Sequence, residues 1–321
     1  MNNKILLVAG DPISINSEII FKSWRKLNTN SKKNIYLIGN YKLITKQLST
    51  LKYRVKTIKL KSINDNIDKT KLNILNVSLK FSNPFKIPKK NLSEYVVKSL
   101  ELAHVLAIKN KIKGIINCPV DKKLLKNTKK TGVTEFLAAK CKILNNSEVM
   151  LIHNKNFSVA PITTHIKLKD VSKKINKKLI INKISSLNKN FKKIFKKKPK
   201  IGILGLNPHN SELEKNSEEI KILKPSISKL KKNGLKIDGP LISDTLFIKN
   251  FKKYNVVVGM YHDQVLTPFK TLYQFDAINI TLGLKYLRVS PDHGTAVDII
   301  GKNSADYNSL LKCIKFLNNL G

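Results

Sequence analysis

Short apolar runs rich in Ile, Leu and Val, edged by Gly, Pro or Asn, alternate along the chain with longer stretches whose apolar positions recur every three or four residues. The first kind predicts buried strands and the second amphipathic helices. Residues 5–9 predict a strand and 17–27 a helix; 35–39 and 43–51 repeat the pair, and a helix over 92–107 leads into a strand over 114–120. Further strands are predicted over 157–162, 200–206, 256–260 and 277–284. Such alternation is the mark of an α/β architecture. Residues 189–200 place Phe191, Ile194 and Phe195 at helical spacing, which predicts a helix end with a Lys-rich outer face. Residues 305–320, with Leu310, Leu311, Ile314 and Leu317, predict a closing amphipathic helix capped by Ser304.

Three of the predicted strands run into polar, turn-prone clusters that each contain a histidine: T-T-H-I at His165, N-P-H-N at His209 and Y-H-D-Q at His262. In open α/β sheets the carboxyl edge is where ligands bind, so three imidazoles could meet there. Neutral imidazole is the commonest metal ligand, and three nitrogens leave a position open for substrate on Zn²⁺, Co²⁺ or Mn²⁺. His104 falls on a helical stretch and is expected to pack; His153 ends the run 149–152 with no polar partner beside it. Asp263, next to His262, and Asp244, in S-D-T-L-F, could orient imidazoles through their second nitrogens or could cap strand ends.

Composition narrows the class. A chain of 321 residues with 41% hydrophobic content can build two α/β lobes. No apolar run reaches the ~18 residues of a membrane helix, and the opening M-N-N-K-I-L-L-V-A-G goes straight into a strand, so a cytoplasmic protein without a membrane partner is expected. Cys118, Cys141 and Cys313 form no C-x-x-C and are expected as buried free thiols. The formal charge of +40 invites a nucleic-acid reading. The lysines are nevertheless scattered over every predicted helix beside Asn and Ile, which points to solvated faces rather than a specific nucleic-acid surface. The same field would steer an anionic substrate.

The pieces G-V-T-E-F-L-A, G-L-N-P-H-N, G-P-L-I-S-D-T-L-F, Y-H-D-Q-V-L-T-P-F-K, I-N-I-T-L-G-L and S-P-D-H-G-T-A-V-D-I-I-G-K, with G-D-P near the start, stand in this order over nearly the whole chain. That ordered set resembles the 4-hydroxythreonine-4-phosphate dehydrogenase family of pyridoxal phosphate synthesis, within the isocitrate and isopropylmalate dehydrogenase superfamily. The resemblance implies a two-lobed fold with the active site in the interdomain cleft. From it we expect one lobe of residues 1–125 plus 257–321 and another of 126–256. It also implies oxidation of 4-phosphooxy-L-threonine with NAD or NADP to 2-amino-3-oxo-4-phosphooxybutanoate, which loses CO₂ to give 3-amino-2-oxopropyl phosphate. A divalent metal (Zn, Mg or Co) is implied on His165, His209 and His262, with His262 supplied by the other subunit of a homodimer. Thr134, Lys270, Asn279 and Arg288 are implied as substrate-binding residues, and a cation, an amide and a guanidinium suit phosphate and carboxylate oxygens. Arg is scarce beside Lys in this chain, which singles out Arg288. No G-x-G-x-x-G and no P-loop sequence occurs, so the loop His293, Gly294, Thr295 and Ala296 is the candidate for NAD(P).

Two places depart from the family pattern. Val133 stands where the family has a substrate-binding histidine, and Ser14, Asn16 and Ser17 replace two glycines and a proline after G-D-P. Lost glycines raise the question of backbone conformations that other residues resist. Another phosphorylated hydroxy acid, such as a four-carbon aldonate phosphate, is the nearest alternative substrate. A basic nucleic-acid-binding protein on the same scaffold is the alternative from another class, and it would need a contiguous basic face.

Overall fold

In the computed structural model, which describes residues 3–128, 132–143, 147–155 and 157–320, the apolar runs form short strands. Among the described residues these are, in chain order, β1 (Ile5–Val8), β2 (Ile35–Gly39), β3 (Thr57–Leu60), β4 (Leu72–Asn76), β5 (Gly114–Asn117), β6 (Val149–Asn154), β7 (Phe157–Pro161), β8 (Lys200–Leu204), β9 (Lys236–Leu241), β10 (Val256–Gly259), β11 (Ile278–Leu282) and β12 (Arg288–Pro291). Most are buried end to end, as strands covered on both faces must be, and this explains their unbroken apolar sequences.

The chain divides into two compact units, Met1–Cys141 with Lys285–Gly321, and Lys142–Leu284. The expected divisions, after 125 and after 256, are displaced in the fold. β10 pairs with β7 and β8, and β11 pairs with β6, which ties the segment up to Leu284 to the second unit. In the first unit the strand order is β3-β4-β2-β1-β5-β12 and every pair is parallel. In the second unit the order is β11-β6-β7-β10-β8-β9; β11, β6 and β7 are antiparallel neighbours, whereas β7, β10, β8 and β9 run parallel.

The helices follow their apolar stripes. Lys177–Phe195 buries Ile180, Ile184, Leu187 and Phe191 on one face and leaves lysines outside, and the Asn176 side chain accepts the Leu179 N–H at its start. The closing helix, Asn308–Asn319, starts later than expected, after Tyr307, with no side-chain cap. Ser304 is therefore not its cap. His104 lies on the helix Lys89–Asn110 with Nδ1 3.0 Å from the Tyr286 hydroxyl, a packing role. His153 does have a polar partner: the β6–β7 pairing sets Ser158 opposite it, with Oγ 2.9 Å from Nδ1. Burial pushes that imidazole down to about 4, so it is neutral at pH 7. All three cysteines are buried and unpaired.

Candidate active site

Because β7, β10 and β8 are adjacent and parallel, the loops after them leave the same edge of the second unit's sheet, and they carry His165, His262 and His209. Backbone bonds tie the first two loops together. Ile162 N–H donates to Gly259 O (2.8 Å), and the Thr163 N–H (3.1 Å) and hydroxyl (2.7 Å) donate to Met260 O. The His165 and His262 rings consequently lie 5.9 Å apart between centroids. Two imidazoles sharing one ion stand about 5 Å apart, given metal–nitrogen bonds near 2 Å. His262 opens the helix His262–Tyr273, and its Nδ1 lies 2.7 Å from Asp263 Oδ1, which leaves Nε2 for a ligand.

His209 is held differently. His209, Asn210, Ser211, Glu212 and Leu213 have φ of 49°, 60°, 50°, 45° and 60°, a left-handed turn without a glycine. Side-chain sterics make each such residue cost about 1–2 kcal/mol, so surrounding contacts must over-determine the turn. They are visible just before and after it. Glu219, fully buried, accepts the N–H groups of Leu206 (2.8 Å) and Asn207 (2.9 Å) on Oε1 and the Asn207 amide (3.0 Å) on Oε2. Burial alone would raise the Glu219 carboxyl, but the hydrogen bonds from Asn207 and Leu206 outweigh it and hold the group below its ordinary value. Asn210 donates to Pro240 O (3.3 Å), and a Cβ on Gly205 would overlap Asn210 Oδ1. His209 Nδ1 lies 3.4 Å from Glu212 Oε1 and Nε2 3.5 Å from Asp244 Oδ2. Among the described residues no group of three His, Cys, Asp or Glu side chains is arranged to hold a metal within one chain. The His165–His262 pair, with Asp263 on the second nitrogen of His262, nevertheless fits a divalent ion as two of its ligands.

Two residues that the sequence reading passed over brace this edge. Gln264, in the Y-H-D-Q cluster itself, accepts Met260 N–H (2.7 Å) and donates to Gly205 O (2.7 Å) and Ser243 Oγ (2.9 Å), joining the ends of β10 and β8 to the residue before Asp244. Glu219 is the other. Gln264 was legible as part of a motif; Glu219 sits in an ordinary Lys/Glu-rich stretch and gave no local signal.

In the first unit Arg288 is 3% exposed at the start of β12. Its Nε donates to Asn117 Oδ1 (2.6 Å) and its Nη1 to Thr134 Oγ1 (3.3 Å). Burial pushes the guanidinium down to about 10, still a cation at neutral pH. The helix is Val133–Lys140, Gly132 takes the cap position, and Thr134 lies in the first turn facing Arg288. Val133 opens that helix. In the second unit Lys270 is half-buried with its ammonium 5.0 Å from the centre of the Phe275 ring. Asn279, on β11, has a buried Oδ1 with no hydrogen-bond partner among the described residues, an acceptor that a ligand donor would satisfy.

The H-G-T-A loop is partly bonded and partly open. Thr295 O accepts the Ile15 N–H (3.1 Å), and Ala296 is left-handed at φ 45° and ψ 54°. His293 Nδ1 is 2.9 Å from Gly294 O, while its Nε2 is buried without a partner among the described residues. A Cβ on Gly294 would meet nothing within 4 Å, so the protein's own packing does not require glycine there and the space is open to a ligand. After G-D-P the lost glycines do no backbone harm, since Ser14 and Asn16 have ordinary φ. Their side chains instead build a network. Asn16 Nδ2 donates to Ala9 O (2.9 Å), Asp11 O (3.2 Å) and Pro119 O (2.8 Å), and Ser14 Oγ donates to Asp11 O (2.5 Å). Gly10, at φ +75° with Pro119 O 2.5 Å from where a Cβ would stand, is the glycine this turn requires.

The family model described as "Pyridoxal phosphate biosynthetic protein PdxA" matches residues 31–317. A 4-hydroxythreonine-4-phosphate dehydrogenase of Sulfurihydrogenibium sp. (strain YO3AOP1) is 38% identical over 97% of this chain and 96% of its own length. A putative D-threonate 4-phosphate dehydrogenase of Oceanobacillus iheyensis is 32% identical over 96% of this chain and 95% of its own length. Among solved structures, that of a putative 4-hydroxythreonine-4-phosphate dehydrogenase from Salmonella typhimurium superposes with a TM-score of 0.86 at 26% identity, covering 100% of both chains. Isocitrate dehydrogenase from Methylococcus capsulatus shares the fold at a TM-score of 0.52 and 10% identity, over 98% of this chain and 84% of its own. The match along residues 31–317, together with 38% identity to a full-length relative over 97% of this chain, makes this protein a member of the pyridoxal phosphate biosynthetic protein PdxA family.

Proposed function

We propose that the protein oxidises 4-phosphooxy-L-threonine with NAD or NADP to 2-amino-3-oxo-4-phosphooxybutanoate, which decarboxylates to 3-amino-2-oxopropyl phosphate in pyridoxal phosphate synthesis. The observation that carries this reading is the His165–His262 pair with His209 on the same parallel edge, in a chain of this family. His165, His209 and His262 would hold a divalent ion, and an all-imidazole set suits Zn²⁺ or Co²⁺ better than Mg²⁺, which prefers oxygen. When bound, the ion supplies Lewis acidity that lowers the pKa of a substrate hydroxyl and stabilises negative charge after CO₂ leaves.

The remaining work belongs to the chain's own side chains. Arg288 and Lys270 neutralise phosphate and carboxylate oxygens, and Arg288 arrives already oriented by Asn117 and Thr134. Asn279 Oδ1 accepts from a substrate ammonium or hydroxyl. Asp263 holds the His262 Nδ1 proton and so keeps Nε2 available; Asp244 stands ready to do the same for His209. His293, Gly294, Thr295 and Ala296 would receive the nicotinamide cofactor, which accepts the hydride. A homodimer that shares its metal site, which the family resemblance implies, is part of the reading. So is a cytoplasmic setting, supported by three buried free thiols.

A specific observation favours a second substrate. The Val133 side chain offers no donor at the helix start, and a full-length relative is named as a putative D-threonate 4-phosphate dehydrogenase. Purified protein reconstituted with Zn²⁺ or Co²⁺ should reduce NAD⁺ or NADP⁺ with 4-phosphooxy-L-threonine, and no reduction with that compound but turnover of D-threonate 4-phosphate would replace the first reading with the second.

A further inference from the structure

Tyr261 takes the cap position of the helix His262–Tyr273, and its side chain makes no capping bond. Gln264 is the third residue of that helix, where a Glu or Gln commonly reaches back to a free backbone N–H at the cap. Here the bond goes one residue further: Oε1 accepts the Met260 N–H at 2.7 Å. A glutamate would serve this end of the side chain equally well. It could not serve the other end. Gln264 Nε2 donates to Gly205 O at 2.7 Å and to Ser243 Oγ at 2.9 Å, so both amide hydrogens are used outside the helix. Room is kept for the amide as well, since a Cβ on Gly259 would stand 2.9 Å from Gln264 Oε1.

The two groups that receive those hydrogens converge on one histidine. Gly205 follows β8 and opens the loop that carries His209. Ser243 precedes Asp244, whose Oδ2 lies 3.5 Å from His209 Nε2. The His209 side chain is largely exposed on its left-handed turn, so packing of its own does little to fix it. A single amide on the His262 helix therefore ties the stem of the His209 loop to the stem of its carboxylate partner, and anchors both at the end of β10. We propose that Gln264 is a positioning residue for the metal site: through Gly205 and Ser243 it sets where His209 and Asp244 stand, and a bound divalent ion gains His209 as a ligand because those two bonds hold. The inference rests on the reading of the three histidines as metal ligands.

The test must separate positioning from helix capping. The full-length protein, freed of metal, is titrated with Co²⁺ and followed by visible absorption. Gln264→Glu keeps the acceptor for the Met260 N–H and removes both donors. Its Co²⁺ affinity should fall by about tenfold or more, although a new carboxylate would by charge alone favour a cation. In a His209→Ala background the same change should cost less than about twofold, because a residue that acts through His209 has nothing left to act on. Equal affinity in Gln264→Glu and wild type overturns the proposal and leaves Gln264 as a helix cap. An equal loss in the two backgrounds, which a general weakening of the fold would give, overturns it too. Should Gln264→Glu fail to fold, as read by circular dichroism, Ser243→Ala decides: it should weaken Co²⁺ binding about threefold, and unchanged affinity overturns the proposal. A wild-type chain that takes up no Co²⁺ overturns the metal reading itself.

Discussion

Arg288 is 3% exposed and already bonded to Asn117 and Thr134, whereas the His209 side chain is 63% exposed on a left-handed turn of five residues. The first region resembles a socket finished during folding: its guanidinium is desolvated and bonded, and in the Asp11–Asn16 network beside β1 the Asn16 amide nitrogen is taken up by three backbone carbonyls. The second is held by its neighbours rather than by itself. Glu219 and Gln264 clamp the chain on either side of the histidines, yet the imidazoles of His209 and His262 stay accessible. A buried, paired cation is preorganised for an anion, whereas accessible imidazoles remain free to take a further partner.

The largest effect should come from the open region. His165→Ala or His262→Ala should lower kcat/KM by more than a thousandfold and abolish stoichiometric metal, as read by elemental analysis, with circular dichroism unchanged. Inactive His209→Ala and His262→Ala subunits, once exchanged, should recover part of the activity, because one of the two mixed sites keeps all three ligands. Full metal content in a single variant would remove that histidine from the site.

The closed region should answer to pH. Burial, partly offset by the N–H groups of Ile13 and Asp121, raises Asp11 from 3.8 to about 6. The folded chain therefore binds this proton more tightly than the unfolded chain, and stability falls as pH rises from about 4 through 6, by about 3 kcal/mol for this group. Urea unfolding of the Asp11→Asn variant should lack that component. Parallel pH profiles of variant and wild type would show that the carboxyl is not the cause.

Arg288→Lys should be smaller in effect, about 2 kcal/mol in kcat/KM, since lysine keeps the charge but cannot satisfy Asn117 and Thr134 with one fork. An unaltered KM would mean that the guanidinium orients its neighbours and does not meet substrate. Smallest is Val133→His, which should lower KM for 4-phosphooxy-L-threonine roughly tenfold, about 1.5 kcal/mol, with little change in kcat if the contact is the same in ground and transition states. If KM improves only for D-threonate 4-phosphate, the second substrate reading is the better one.

Much of this was readable from local pattern. The strands that bear the histidines lie where their apolar runs predicted, because a buried parallel strand needs an unbroken apolar sequence and little else. What pattern did not reveal is non-local. The division of the chain after Leu284 depends on β11 pairing with β6, and β10 entering between β7 and β8. The left-handed turn at His209–Leu213 carries no glycine to announce it, and the contacts beside it, Glu219 with Leu206 and Asn207 and Pro240 O with Asn210, come from outside the turn. Ser304 looked like a cap only because the helix was expected three residues too early, and Tyr307 precedes it instead.

The position of β10 bears on how the protein is made. β7 and β8 emerge from the ribosome well before their common neighbour, and neither can pair with it until Val256–Gly259 has been synthesised. The strand arriving late closes the sheet and brings the Y-H-D-Q cluster with it, so the histidine edge cannot assemble on a nascent chain that stops short of His262. A truncated translation product is thereby denied the His165–His262 pair, and the three-histidine edge becomes available only once most of the polypeptide has left the exit tunnel.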